Sequence, residues 1–238
     1  MRSSADIAQS LLPVDTEQRS ALSPRIKLYA FILGILNLFP SGLAEHVLRS
    51  DRDGYYLSLF LFSHSAVFGL VGLSHFIGSS RAILQKVYLF PTTALSRILF
   101  VISANLRHPF SIALISSNLF FLIVLYRYHI PVGIAAAVLY LLLVLNIATI
   151  AGIVLLQLEK RGSSSGIAFV VLALAACAVF VGSYAYESDA IMQNVPLVNF
   201  CVNGILSAIS GAWFAVVLDF AVLVAIPIAV IWIGRKFL

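Results

Sequence analysis

The sequence predicts an all-α, polytopic membrane protein: a bundle of six transmembrane helices with both termini in the cytoplasm. Three observations lead there. The 238 residues are 61% hydrophobic and 11% charged, with a mean hydropathy of +1.02, whereas soluble domains carry about 25% charged residues. A soluble fold of this size could not hide so much apolar surface and still keep a solvated exterior. The apolar residues also come in continuous runs, not in the alternation over roughly 10 residues that marks a barrel strand. Finally, the basic residues collect on one side of those runs.

The chain opens with a polar tail, 1–27, of mixed charge: Arg2, Asp6, Asp15, Glu17 and Arg19. No apolar stretch follows Arg2, so no cleavable signal peptide is predicted. Ser23 and Pro24 suit an N-cap and a first helical position. Arg25 and Lys27 lead into the first span, 28–44, which contains Asn37 and Pro40. At about 17 residues it sits near the lower limit for crossing a bilayer, and an interfacial helix is the alternative. Residues 45–53 form a short loop whose charges nearly cancel. The second span, 55–77, begins with Tyr55 and Tyr56 as interface anchors.

Residues 79–108 follow as a cytoplasmic segment. They hold Arg81, Lys86, Arg97, Arg107 and His108 and no acid; indeed no Asp or Glu occurs between Gly54 and Leu158. Pro91 divides the segment. One short amphipathic helix is expected before it, and Thr92 and Thr93 can cap a second from 94 to about 107. The third span is predicted over 109–126, because Arg107-His108-Pro109 makes a poor membrane centre and Pro109 suits a helix start. The fourth, 131–158, is the longest and has no charge, so it can tilt or project past the bilayer. After the polar hinge Glu159-Lys160-Arg161 and its Gly/Ser run comes the fifth span, 167–186. Residues 197–211 are too short to span and too apolar for a free loop, which points to a re-entrant or surface-lying helix. The sixth span, 212–233, ends at Gly234-Arg235-Lys236 and nearly closes a transmembrane domain of 28–234.

Charge sets the orientation. With six spans and both ends inside, the inner segments hold Arg2, Arg19, Arg25, Lys27, Arg81, Lys86, Arg97, Arg107, Lys160, Arg161, Arg235 and Lys236. The outer segments hold Arg49, Arg52 and Arg127, so the 15 basic residues divide twelve to three, in line with the positive-inside rule. Five spans would carry the four basic residues of the tail to the wrong side. The net charge of +5 therefore speaks of orientation and not of nucleic acid. A multi-pass protein of a cell membrane, the bacterial inner membrane, is the expected setting.

Catalytic signatures are missing: no HExxH, no Gly-x-Ser-x-Gly, no phosphate-binding loop and no paired carboxylates within a span. An enzyme is not expected, nor is a metal or a cofactor. His64 and His75 share a face of the second span eleven residues apart; they read either as haem ligands or as satisfied bundle residues. His46, His108 and His129 lie in or beside loops and supply no mid-membrane partner. Asp219 is the acid inside a span. It reads as lining for a substrate path or an interhelix contact, or as a structural acid. Asn118 and Asn146 read as interhelical hydrogen-bond groups. Cys177 and Cys201 read as small hydrophobes.

The basic segment has two readings: a surface helix set against anionic lipid, or a docking element for a cytosolic partner. The run Lys86-Val87-Tyr88-Leu89-Phe90-Pro91-Thr92-Thr93-Ala94-Leu95-Ser96-Arg97, with the order and length of the spans, resembles the permease subunits of ABC-2 type exporters. Those subunits carry a coupling helix and a proline-plus-hydroxyl element between spans two and three, and short re-entrant helices between spans five and six. The family's stretch before the proline often contains acids; this one has none. The resemblance implies an export permease, with Arg81, Lys86, Tyr88, Phe90, Pro91, Thr92, Thr93 and Arg97 as the coupling residues. It also implies a separate cytosolic ATP-binding subunit as partner and a second permease subunit, in a homo- or heterodimer. The alternative is a non-catalytic membrane subunit of a larger electron-transfer or photosynthetic complex.

Overall fold

The computed structural model describes residues 55–79, 87–89, 91–161 and 195–237. Six helices lie there and, among the described residues, no strand: α1 (Tyr55–Ser79), α2 (Ala94–Arg107), α3 (Pro109–Leu125), α4 (Ile130–Lys160), α5 (Pro196–Ile209) and α6 (Trp213–Phe237). The expected tail 1–27 and the runs 28–44 and 167–186 lie outside the described residues. Two helices, Ile130–Lys160 and Trp213–Arg235, are long and apolar enough to cross a membrane. The protein is thus all-helical in its described part, and these two helices are of the kind found in membrane proteins.

The central post is α4, which packs against each of the other five helices. Pro131 starts it, where a missing N–H costs nothing. Lys160 in the last turn opposes the negative end of the helix dipole. Val132, Ala136, Leu139, Tyr140, Leu143, Val144, Ala148, Leu155 and Leu156 are buried along it, at the spacing of three and four residues that makes one face. Two glycines let neighbours approach closely. A Cβ on Gly133 would stand 3.2 Å from Tyr126 Cβ, and one on Gly152 would stand 3.0 Å from Val101 Cγ1. With 31 residues, α4 runs about 46 Å at 1.5 Å per residue, against a hydrocarbon layer of about 30 Å.

α2 packs on the C-terminal half of α4, with Val101 and Ile102 against Gly152. Thr93 caps α2, its hydroxyl accepting from Ser96 N at 3.2 Å. Ile98, Val101, Ile102 and Asn105 form the buried face of α2. The helix stops at His108 because Pro109 has no N–H to continue it; His108 N turns back to Asn105 O at 3.2 Å. The His108 ring Nδ1 then accepts from Phe110 N at 3.3 Å, so it covers one of the free donors at the start of α3. The axis bends by 68° between Ala94–Arg107 and Phe110–Phe120.

At the other end, α5 and α6 form a helical hairpin. Ala212 N donates to Ser207 O at 2.8 Å and Gly211 N to Ala208 O at 3.2 Å, the two bonds of a Schellman motif. Gly211 takes the left-handed φ of 76° that this turn needs. Gly204 lets α5 settle against both neighbours: a Cβ there would meet Leu139 Cδ1 at 2.7 Å and Asp219 Cβ at 3.3 Å.

A side-chain hydrogen bond joins the two long helices. Pro227 lies inside α6, so the Leu223 carbonyl, four residues before it, has no intrahelical donor. Asn146 Nδ2 of α4 donates to Leu223 O at 2.8 Å, and to Leu142 O of its own helix at 2.8 Å. In an apolar layer such a freed carbonyl must find a partner in a neighbouring helix. Asn146→Ala should therefore lower stability by about 1–2 kcal/mol. In a Pro227→Ala background, which restores the N–H, the same change should cost clearly less. Thermal melts of the four proteins of this cycle in one detergent measure the difference.

Candidate functional site

Two polar clusters break the apolar pattern, one at the end of α4 beyond Leu155 and one inside the bundle. The first is built around Pro91. Residues 87–89 make one helical turn, 91–93 form no regular element, and α2 begins at Ala94 after the extended Thr93. Tyr88 Oη donates to Leu156 O of α4 at 3.2 Å. The Arg97 guanidinium lies over the Tyr88 ring, 4.7 Å from its centroid, a cation–π contact. Arg97 Nε donates to Thr92 Oγ1 at 3.2 Å, and Thr92 Oγ1 donates to Val87 O at 3.5 Å. The break on either side of Pro91 is thus stapled shut by Arg97 and pinned to α4 by Tyr88. Burial holds the Tyr88 phenol above its ordinary pKa; the Arg97 charge opposes this and the Glu159 charge reinforces it.

Tyr88, Thr92 and Arg97 spend their polar groups on one another and on α4, because a chain break at a proline needs local bonds to hold its shape. Pro91 and Thr93 are exposed, and Leu89 is 81% exposed. Sequence reasoning passed over Leu89, whose signal was an apolar side chain next to the break. Arg81, Lys86 and Phe90 lie outside the described residues, as do His46 and Cys177.

The second cluster joins four helices. Asp219 of α6 is half-buried beside Gly204 of α5. Cys201 of α5 is fully buried, within electrostatic reach of Asp219 and of Tyr140. Tyr140 of α4 in turn faces Asn118 of α3. The Tyr140 hydroxyl and Asn118 Oδ1 are both buried with no hydrogen-bond partner among the described residues, while Asn118 Nδ2 donates to Leu114 O at 2.8 Å. Asp219 was singled out from the sequence. Its line to Tyr140 through Cys201 was not, since residues so far apart in sequence meet only through packing.

Among the described residues, His64 is bonded within its own helix. His64 Nδ1 lies 2.8 Å from Phe60 O in its own helix, and its ring packs on Phe60 at 4.1 Å between centroids. The side chain of His75 is outside the described part. Among the described residues, no three His, Cys, Asp or Glu side chains gather. No protein-family model, curated protein or solved structure matches the chain.

Tyr88→Phe keeps the ring beneath Arg97 and removes the bond to Leu156. It should cost about 1 kcal/mol, read as a lower midpoint in a thermal melt. The fold favours the neutral phenol, so the contribution of Tyr88 is complete below the ordinary tyrosine value of about 10. It is lost as pH rises through the raised value. The gap between wild type and Tyr88→Phe should therefore stay constant across neutral pH and close only in strong alkali.

Proposed function

We propose that the chain is the permease subunit of an ATP-driven exporter. In this reading it has six spans with both termini in the cytoplasm of a bacterial cell, and it pairs with a second permease subunit. ATP hydrolysis belongs to a separate cytosolic partner that docks on the 80–97 segment. The charge division of twelve inner to three outer basic residues supports the orientation.

The observation that carries the reading is the tie from Tyr88 to Leu156. A partner pushing on the segment around Pro91 pushes directly on α4. Because α4 packs on α5 and α6, the displacement reaches the hairpin that holds Asp219 and Cys201 without crossing a flexible link. A carboxylate set within a spanning helix suits a path for polar or charged cargo. The exposed knob at Leu89, not Arg97, is then the side chain that enters the ATPase.

Purification of the tagged chain from its native membrane in mild detergent tests this. A nucleotide-binding subunit should co-purify, and Leu89→Asp should reduce its recovery at least several-fold while the permease stays folded. Recovery of no such subunit would sink the proposal. Haem or pigment absorbance in the purified complex would instead favour a subunit of an electron-transfer or photosynthetic assembly. A reporter at Lys236 that proves extracytoplasmic would overturn the six-span topology on its own.

A further inference from the structure

The outward side of α2 is not built like that of a helix in water. Leu95 is 39% exposed, Leu99 is 50% exposed and Leu106 is half-buried. At about 100° per residue, positions 95, 99 and 106 fall on one flank. Arg97, two residues before Leu99, falls on the opposite flank, where it stacks on Tyr88. The face between them, Ile98, Val101, Ile102 and Asn105, is buried, with Val101 and Ile102 against Gly152 of α4. The face away from α4 carries Ser96, Ser103, the half-buried Phe100 and the exposed Arg107. The helix therefore has four sides: packed, apolar, mixed and cationic.

Its level along α4 follows from the contacts. Val101 meets Gly152, and Tyr88 bonds Leu156. Counting about 20 residues for the hydrocarbon layer from the start of α4 at Ile130 places its inner edge near Thr149. So α2 lies at that edge and just beyond it. Its tilt agrees. If α3 stands within about 20° of the membrane normal, the 68° bend leaves α2 nearer to the membrane plane than to the normal. An apolar flank on a helix lying in that plane is turned into acyl chains.

We propose that α2 is an interfacial helix that binds an anionic phospholipid of the inner leaflet. Leu95, Leu99 and Leu106 lie along its acyl chains. Arg107, with the Ser103 hydroxyl one turn before it, holds the headgroup phosphate. Charge complementarity selects this occupant: Arg107 is exposed, and no Asp or Glu occurs from Tyr55 to Leu158 to repel an anion. The docking surface at Leu89 and Pro91 is separate, on the far side of the Thr93 cap. The inference rests on the inner-facing placement of α2 in the proposed topology, which the reporter at Lys236 tests separately.

The test uses the full chain in nanodiscs of phosphatidylglycerol and phosphatidylcholine in equal parts, with co-released lipid counted by native mass spectrometry. Phosphatidylglycerol should be retained in excess, and Arg107→Gln should lower that excess roughly fivefold, the scale of one basic side chain near a charged membrane surface. Lys160→Gln, at the exposed end of α4, should change it less. A nitroxide on Leu99→Cys, with Cys177 and Cys201 replaced by Ala, should be reached by oxygen and shielded from an aqueous nickel quencher. One on Pro91→Cys should show the reverse. Equal retention of the two lipids, or an Arg107→Gln protein that retains phosphatidylglycerol as wild type does, overturns the proposal. So does a water-exposed label at position 99. Loss of the co-purifying ATPase in Arg107→Gln with lipid retention unchanged would assign this face to a protein and overturn it as well.

Discussion

Pro227 leaves the Leu223 carbonyl without a donor inside one of the most apolar helices of the chain, and Asn146 of α4 answers it at 2.8 Å. The constraint behind this bond governs the whole architecture. Where water is excluded, each backbone polar group must find a partner within the protein. A proline in α6 is therefore tolerable only if a neighbouring helix brings a side-chain donor to that level. Asn146 does so, which sets the register of α6 on α4. With α6 placed, the turn at Gly211 and the close approach at Gly204 place α5, and the meeting of Asp219, Cys201 and Tyr140 follows.

The same constraint explains the other interruption. At His108–Pro109 the chain breaks a helix a second time, and the repair there is local: the His108 backbone turns back to Asn105, and its ring accepts from Phe110. A local repair leaves the two helices free to differ in direction, hence the 68° bend. A repair from a neighbouring helix, as at Pro227, leaves α6 continuous. The difference follows from where the partner group comes from. It separates α2 from α3, the helix that follows it.

The segment around Pro91 shows how a basic patch can be less free than it looks. Half of its described charge, Arg97, is held over Tyr88 and bonded to Thr92. Among the described residues, Leu89, Pro91, Leu95 and Leu99 stand outward, together with Thr93 and Arg107. Such a surface suits contacts that bury hydrocarbon and add a charge at the rim. In the functional reading it serves two neighbours at once, a cytosolic chain at Leu89 and the membrane along α2.

Much of this organisation was legible in the sequence because the signals are local. Composition requires a membrane protein. Thr92-Thr93 after Pro91 announces a helix start, and the structure begins α2 at Ala94 with Thr93 as its cap. Pro109 and Pro131 mark the starts of α3 and α4, and the uncharged run 131–158 becomes Ile130–Lys160. Asp219 stands out as an acid within an apolar run. Asn146 could be read as a hydrogen-bond group, but its partner could not, since Leu223 lies 77 residues away and only packing brings them level. The inward turn of Arg97 was equally hidden, because a side chain's direction depends on what stands beside its helix. Sequence by itself determined the class of protein and where its described helices begin and end, through hydrophobic run length, proline and capping chemistry. Tertiary structure alone decided which polar groups meet, because those pairings depend on helix register, and register is set by contacts between residues far apart in the chain.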